Sequence, residues 1–142
     1  MENLKIKFKK LNPNAVMPRQ GTTGAAGFDL TAVSIEKKDM TVKYDTGIAV
    51  EIPPGYVGLV FPRSSVCKTG MTLANSVGVI DSDFRGSISL VFYKGPNWIE
   101  PYSYGERIGQ LVIVPIPEVE FVEAEELSET DRGAGGYGST GK

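Results

Sequence analysis

The sequence NSVGVIDSDFRG at residues 75–86 lies between two apolar runs, 71–74 and 88–93. Its glycines, serines and aspartates are the residues that a tight bend between strands prefers. We therefore predict a β-hairpin that holds the Asp81 carboxylate at a fixed place above a sheet. Backbone amides and carbonyls at the tip would be left for a ligand, so this segment is the candidate floor of an active site.

Short apolar stretches separated by turn signals continue on both sides of this segment. Residues 4–8 alternate apolar side chains with lysines, which is typical of an edge strand with a solvated lysine face. Residues 56–61 are apolar almost throughout, which predicts a central strand. About ten short strands are expected, at 4–8, 28–33, 40–44, 47–52, 56–61, 71–74, 88–93, 98–99, 107–116 and 119–122. This pattern, with almost no helix, predicts an all-β sandwich or barrel.

The clearest helix candidate follows the predicted central strand. Pro62 and Arg63 break the strand pattern, Ser64 or Ser65 is a good N-cap, and Gly70 suits the C-terminal end. One or two helical turns fit between them. Serine hydroxyls, first-turn amides and the Arg63 guanidinium could together bind an anion, although plain helix capping would explain the same residues.

Composition excludes several classes of function. The chain has 142 residues, a net charge of −2 and no histidine. The slightly acidic balance argues against duplex nucleic acid as a partner, because such binding needs a basic face. Without histidine the chain cannot build Ser-His-Asp, Cys-His or histidine-ligated zinc sites. Catalysis must then use carboxylates, basic residues, backbone amides or an imported metal ion.

Compartment and membrane expectations follow from the same composition. The single cysteine, Cys67, permits no intrachain disulfide, which fits a reducing compartment. No apolar run approaches the roughly 20 residues that span a bilayer. The first ten residues interleave charged and apolar side chains, unlike a signal peptide. We expect a soluble, cytoplasmic protein without a membrane partner.

Three units are expected along the chain: a catalytic all-β domain, sandwich or barrel, at 1–117, an acidic strand or connector at 118–131, and a glycine-rich arm at 132–142. The second unit holds seven acids and no basic residue. The third has glycine amides, with Arg132 and the hydroxyls of Ser139 and Thr140, that could wrap a polyphosphate. An unordered tail would explain this composition equally well.

Asp29, at the start of a predicted strand, and Asp81 and Asp83, in the turn-rich segment, are candidate carboxylates for binding a metal ion or orienting a water. Turn formation alone would explain each aspartate. Taken with the Arg63 turn and the arm, however, they suggest a magnesium-phosphate site built from several loops. Mg²⁺ binds few carboxylates and keeps waters while it takes phosphate oxygens.

Five stretches, in order, make the chain resemble the homotrimeric deoxyuridine triphosphatases (dUTPases) over nearly its whole length. They are AAGFDLTA at 25–32, PRSSVCKTG at 62–70, NSVGVIDSDFRG at 75–86, GERIGQLVI at 105–113 and RGAGGYGSTG at 132–141. The resemblance implies a jelly-roll-like β-barrel with one short helix and a flexible C-terminal arm. It also implies a homotrimer with three active sites shared between subunits. The implied reaction is hydrolysis of dUTP to dUMP and pyrophosphate with Mg²⁺, which keeps dUTP low and supplies dUMP for thymidylate synthesis.

The resemblance also implies roles in the nucleoside half of the site. Asp81 would orient and activate the water that attacks the α-phosphorus, and would contact the sugar 3′-hydroxyl. Asn75 and the backbone around Val79 and Ile80 would recognise uracil and exclude the methyl group of thymine. Phe84 would lie under the deoxyribose and leave no room for a 2′-hydroxyl.

The remaining implied roles concern the triphosphate. Arg63, Ser64 and Ser65 would hold the phosphates beside Gln110, and Asp29 would hold magnesium through water. The arm would then close as a lid over the nucleotide. Its implied substrate-binding residues are Arg132, Tyr137, Gly138, Ser139 and Thr140, with Tyr137 capping the uracil.

Four positions depart from the usual family pattern. Phe84 and Tyr137 exchange the usual tyrosine and phenylalanine, Ser65 replaces a glycine, and Gly109 replaces an alanine. None of these changes removes a charged catalytic group. Two alternatives stay open: a related dCTP deaminase, whose glutamate would fall at about Val91, and a non-catalytic trimeric dUTP-binding protein.

Overall fold

The computed structural model describes residues 2–99 and 102–141, and their regular structure is almost all β. The ten strands are β1 Lys7–Lys10, β2 Phe28–Thr31, β3 Ser34–Lys37, β4 Thr41–Asp45, β5 Ile48–Glu51, β6 Tyr56–Phe61, β7 Met71–Leu73, β8 Gly78–Ile80, β9 Ser89–Lys94 and β10 Arg107–Pro115. The predicted all-β class is therefore confirmed. Within the described residues the strands form three open sheets and do not close into one barrel.

The two larger sheets have four strands each. One has the order β2-β10-β6-β8 and the other β3-β4-β9-β7, while β1 and β5 form a separate pair. All neighbouring strands are antiparallel. The predicted central position of β6 is confirmed, since β10 and β8 pair with its two edges.

The hydrophobic core lies between the two four-stranded sheets. Leu30 and Ile108 enter it from one sheet, and Tyr44 and Phe92 enter it from the other. The Tyr44 and Phe92 rings meet edge to face with centroids 5.8 Å apart, a favourable geometry for aromatic pairs. Tyr102 closes the cluster at 5.6 Å from Tyr44. Because side chains from both inner faces interdigitate, this core fixes how the two sheets face each other.

The two apolar runs that flank 75–86 pair with each other as β7 and β9, but the segment between them is not the tight β-hairpin that was predicted. The ladder partner of β8 is β6, whereas β9 pairs with β4 and β7 in the other sheet. Residues 81–88 therefore cross from one sheet to the other without a ladder of their own. The turn residues of this segment were identified correctly, but turn composition does not determine which strand a neighbour pairs with.

The predicted short helix is present, as a 3-10 helix at Ser64–Lys68. Its N-cap is Arg63, in an extended conformation and without a side-chain capping bond, so the expected serine cap is wrong. Gly70 has a φ of +69°, which confirms its position just beyond the helix. The serine side chains are thus not used for capping.

Three expected strands differ from the structure. The first strand runs over 7–10 rather than 4–8, and its lysines are exposed as predicted. Residues 98–99 and 119–122 form no strand. Phe121 is 97% exposed, so the described chain provides no apolar cover for it.

The first and third predicted units, 1–117 and 132–142, include Met1 and Lys142, which lie outside the described residues. Residues 118–141 contain no helix or strand. No helix within the described residues is long and apolar enough to cross a membrane.

Gly109 generates a stability prediction. It lies at a register shift between β10 and β2, and a methyl group there would lie 2.8 Å from the Phe61 carbonyl oxygen. Backbone cannot give way as a side-chain end can, so Gly109→Ala should lower the free energy of unfolding by about 1–3 kcal/mol. Urea denaturation at one fixed protein concentration measures this.

Gly24→Ala is the matched control, because nothing lies within 4 Å of a methyl group placed there. Its stability should stay within about 0.5 kcal/mol of the wild type. Equal unfolding midpoints for the two variants would contradict the proposed crowding at Gly109.

Candidate active site

Strand β6 organises the candidate site because predicted site residues lie beyond both of its ends. Arg63, Ser64 and Ser65 follow its C-terminal residue, Phe61. At the other end, Ile80 of the antiparallel β8 pairs with Gly58, so that Asp81 lies level with Val57. The two groups are described in turn as the phosphate end and the nucleoside end, after their predicted roles.

At the phosphate end, β10 brings two predicted residues together. Gln110 pairs with Asp29 of β2 on one side and with Phe61 of β6 on the other. Its Nε2 donates a hydrogen bond of 3.2 Å to the Pro62 carbonyl. Gln110 thus ties the start of the Arg63 turn to the sheet, and the predicted proximity of Asp29, Arg63 and Gln110 is consistent with this register.

Gly27 is required for this arrangement. A methyl group at Gly27 would overlap Gln110 Oε1 and lie 3.0 Å from Gln110 Cβ. The side chain of Gln110 therefore occupies the space that a larger residue at position 27 would need. A glycine one residue before β2 thus leaves this space to the Gln110 side chain.

Arg107 is a residue of the phosphate end that was not among the predicted site residues. Its Nη1 lies 3.3 Å from Asp29 Oδ2, and the Asp29 side chain is only 26% exposed. Its sequence neighbour Glu106 accepts a hydrogen bond from Ser103 Oγ at 2.5 Å. The pair between Arg107 and Asp29 depends on the register between β10 and β2.

The Arg63 turn presents donors without internal partners. The hydroxyls and backbone amides of Ser64 and Ser65 donate no hydrogen bond within 2–99 and 102–141. The Cys67 thiol contacts the Ser64 carbonyl oxygen at 3.4 Å. That oxygen is an acceptor, so the contact uses none of the donors of Ser64. Free donors beside a guanidinium are suited to a phosphate group.

The nucleoside end is built on β8, an edge strand of its sheet. Its only ladder within the described chain is with β6, so the outer edge keeps backbone N–H and C=O groups for a ligand. Val79, in the middle of β8, is 60% exposed. Asn75 is exposed just before β8, and Asp81 is exposed just after it.

A tight turn shapes the residues after β8. The Phe84 amide donates to the Asp81 carbonyl at 3.1 Å. Arg85 Nη1 donates to the carbonyls of Ser82, at 2.6 Å, and Phe84, at 3.1 Å. The ring of Phe84 folds back over Gly86, where a methyl group would lie 2.6 Å from Cζ. Phe84 is 41% exposed, so one side of the ring is available to a ligand.

The two ends of β6 are far apart within one chain. Six residues separate Val57, level with Asp81, from Arg63, and at about 3.3 Å per residue this is roughly 20 Å. The hydrogen bonds of the arm are local: for example, Arg132 Nε donates to the Gly135 carbonyl at 2.8 Å. No hydrogen bond in the described chain joins 132–141 to the sheets. A single chain therefore does not bring the predicted site residues together.

The described residues offer no ready-made metal cage. No group of three or more acidic, cysteine or histidine side chains is placed to hold an ion there. At the phosphate end Asp29 provides one carboxylate, with Oδ1 free of hydrogen bonds while Oδ2 faces Arg107. This donor set fits an ion that arrives with phosphate and water ligands, as Mg²⁺ does.

Comparison with known proteins gives one consistent family. The family model for dUTPase matches residues 13–141. Deoxyuridine 5′-triphosphate nucleotidohydrolases from Nautilia profundicola and Hydrogenobaculum sp. are 45% and 44% identical to the chain, over 98% and 97% of it and 100% and 99% of their own lengths. The solved dUTPase of Staphylococcus bacteriophage 80alpha with dUPNHPP has a TM-score of 0.83 at 29% identity, covering 99% of this chain and 100% of its own.

Proposed function

The chain belongs to the dUTPase family and hydrolyses dUTP to dUMP and pyrophosphate, and we propose that its residues divide this reaction between the two ends of β6. The nucleoside end selects the substrate and orients the attacking water. The phosphate end, with the arm, holds the triphosphate. The observation that supports this division best is Asp81, an exposed carboxylate placed directly after an edge strand with a free backbone edge.

Base recognition follows from the free edge of β8. Uracil has one N–H donor between two carbonyl acceptors. An edge strand presents alternating N–H and C=O groups, whose spacing is similar to that of the uracil groups. The backbone around Val79 and Ile80 would pair with the base, and the Asn75 amide would supply a further donor and acceptor. A close fit there excludes the methyl group of thymine. Phe84 would pack against the deoxyribose with its exposed side.

Asp81 would accept a hydrogen bond from the water that attacks the α-phosphorus. As the water oxygen bonds to phosphorus, the bond to the bridging oxygen breaks, pyrophosphate leaves, and the water proton passes toward the carboxylate. Arg63 and the donors of Ser64 and Ser65 would bind phosphate oxygens next to Gln110. Positioning and charge neutralisation supply most of the rate enhancement in such phosphoryl chemistry.

Magnesium fits the phosphate end and is used by the dUTPase family. When bound, Mg²⁺ would neutralise phosphate oxygens. Asp29 would hold it through a water, and Arg107 would keep the Asp29 carboxylate in place. Arg132, Ser139 and Thr140 of the arm would close on the terminal phosphate. Tyr137 and Gly138 would cover the base and exclude bulk water.

A homotrimer with shared sites is the second part of the proposal. Roughly 20 Å separates the two ends of β6 in one chain. A nucleotide could contact both sets of residues only if neighbouring subunits supplied them. An uncovered apolar surface supports assembly, since the cleft lined by Leu4, Phe8 and Met17 of one chain lies open. An intracellular place of action is also proposed, from the nucleotide substrate and the lack of a disulfide.

The substrate preference is tested by pyrophosphate release with Mg²⁺. Purified protein should hydrolyse dUTP with a kcat/KM at least about 100-fold above those for dCTP, dTTP and UTP, because a wrong base or sugar leaves polar groups unpaired or clashes. Similar values for all four nucleotides would contradict the proposed selection at β8 and Phe84.

Asp81→Asn should lower kcat by about 10²–10⁴-fold, because the amide cannot accept the water proton. The Kd of the nonhydrolysable analogue dUPNHPP should change little, since the amide has nearly the same shape. Asp83→Asn is the matched control in the same turn and should keep near-wild-type kcat. Retention of most activity by the Asp81 variant would remove the role proposed for it.

Mixed trimers test the shared site. Asp81→Asn and Arg63→Ala should each be inactive as homotrimers. After co-expression and random mixing, about one quarter of the sites should receive wild-type Asp81 from one chain and wild-type Arg63 from another. Activity should therefore return on mixing. Mixtures that stay inactive, with mixed trimers verified by mass spectrometry, would place each site within one subunit.

A further inference from the structure

We propose that Asp45 is a positioning residue that sets the selectivity of the site for deoxyribose over ribose. The inference rests on the proposed function, in which Phe84 packs against the sugar. Asp45 is far from Phe84 in sequence and lies between the predicted strands at 40–44 and 47–52. The structure connects the two residues through hydrogen bonds and one close ring contact.

Asp45 ends β4 and accepts three hydrogen bonds at a single oxygen. Its Oδ1 receives the Ser87 hydroxyl, the Ser89 hydroxyl at 3.0 Å and the Gly47 amide at 3.3 Å. The side chains of Asp45 and both serines are partly buried. Hydrogen bonds to a charged acceptor with reduced solvent access are stronger than neutral ones. The carboxylate therefore holds Ser87 firmly against the end of β4.

The next residue, Thr46, reinforces this attachment from the backbone. Its side chain is 1% exposed, and its amide and hydroxyl both donate to the Ile88 carbonyl, at 3.0 and 2.7 Å. The Ile88 amide in turn donates to the Ile48 carbonyl at 2.9 Å. Hydrogen bonds of both side chains and backbone thus link residues 87–89 to residues 45–48.

Ser87 passes this restraint to the sugar-binding ring. It follows Gly86 directly, and the Phe84 ring lies so close over Gly86 that a methyl group there would be 2.6 Å from Cζ and 2.9 Å from Cε1. The position of the Phe84 ring in the site therefore depends on the position of the Gly86 backbone. A 2′-hydroxyl is excluded only while the ring keeps its place, since a relaxed ring would leave room for one more oxygen.

The base-reading half has a separate anchor. Val79 pairs with Leu59, and Ile80 pairs with Gly58, in the ladder between β8 and β6. This ladder includes neither Asp45 nor Ser87. Loss of the Asp45 restraint should therefore relax the sugar half of the site while the uracil half keeps its geometry.

The test compares two selectivity ratios in the full-length protein. Asp45→Ala and Ser87→Ala should each lower the ratio of kcat/KM for dUTP to that for UTP, by about tenfold for Asp45→Ala, because small displacements at a site have large kinetic effects. The ratio for dUTP to dTTP should stay within about threefold of the wild type. Asp45→Asn retains an Oδ1 acceptor for all three donors but loses the charge, so it should lower the dUTP-to-UTP ratio less than Asp45→Ala does.

Asp39→Ala removes an exposed aspartate from the turn before β4 and controls for loss of a charge. A purely structural role of Asp45 would lower the melting temperature without separating the two ratios. The inference is overturned if the dUTP-to-UTP ratio of folded Ser87→Ala or Asp45→Ala matches the wild type, or if both ratios fall together. Failure of the wild type itself to prefer dUTP over UTP would instead contradict the proposed function.

Discussion

Strand β6 is hydrogen-bonded along both edges, to β10 over Tyr56–Phe61 and to β8 over Gly58–Val60. These ladders fix where each candidate site residue of the sheet β2-β10-β6-β8 lies along the length of β6. Through β10 they bring Gln110 and Asp29 level with Phe61, and through β8 they place Asp81 beyond the opposite end. A shift of β8 by one residue would turn Val79 from the exposed face toward the core. The two halves of the site are therefore separated by a length of strand that no side-chain rotation can bridge.

Much of this arrangement could be predicted from the sequence. Apolar periodicity located most strands, and the continuous apolar run at 56–61 identified the central one, because a strand buried on both faces has no polar alternation. Glycine and aspartate identified the turns. The five family motifs supplied roles for residues such as Asp81, which no local pattern could have distinguished from a turn aspartate.

The remaining features depend on pairing between distant parts of the chain. Turn residues at 81–86 indicated a bend but not that the segment crosses between sheets. The Asp29–Arg107 pair joins residues 78 positions apart and exists only through the β2–β10 register. Asp45 was indistinguishable from an ordinary turn residue, because its serine partners lie 42 and 44 positions away. A single sequence contains no local signal for such contacts.

The acidic residues around Phe121 have a consequence for the newly made chain. Val119, Phe121, Val122 and Leu127 are all largely exposed, in a stretch without regular structure. An extended apolar stretch of this kind is prone to self-association into intermolecular β-structure. Glu120 and Glu123 flank Phe121, and charges at such positions oppose stacking of identical segments because like charges would be brought together. The carboxylates of 118–131 would thus oppose aggregation of the chain through this stretch.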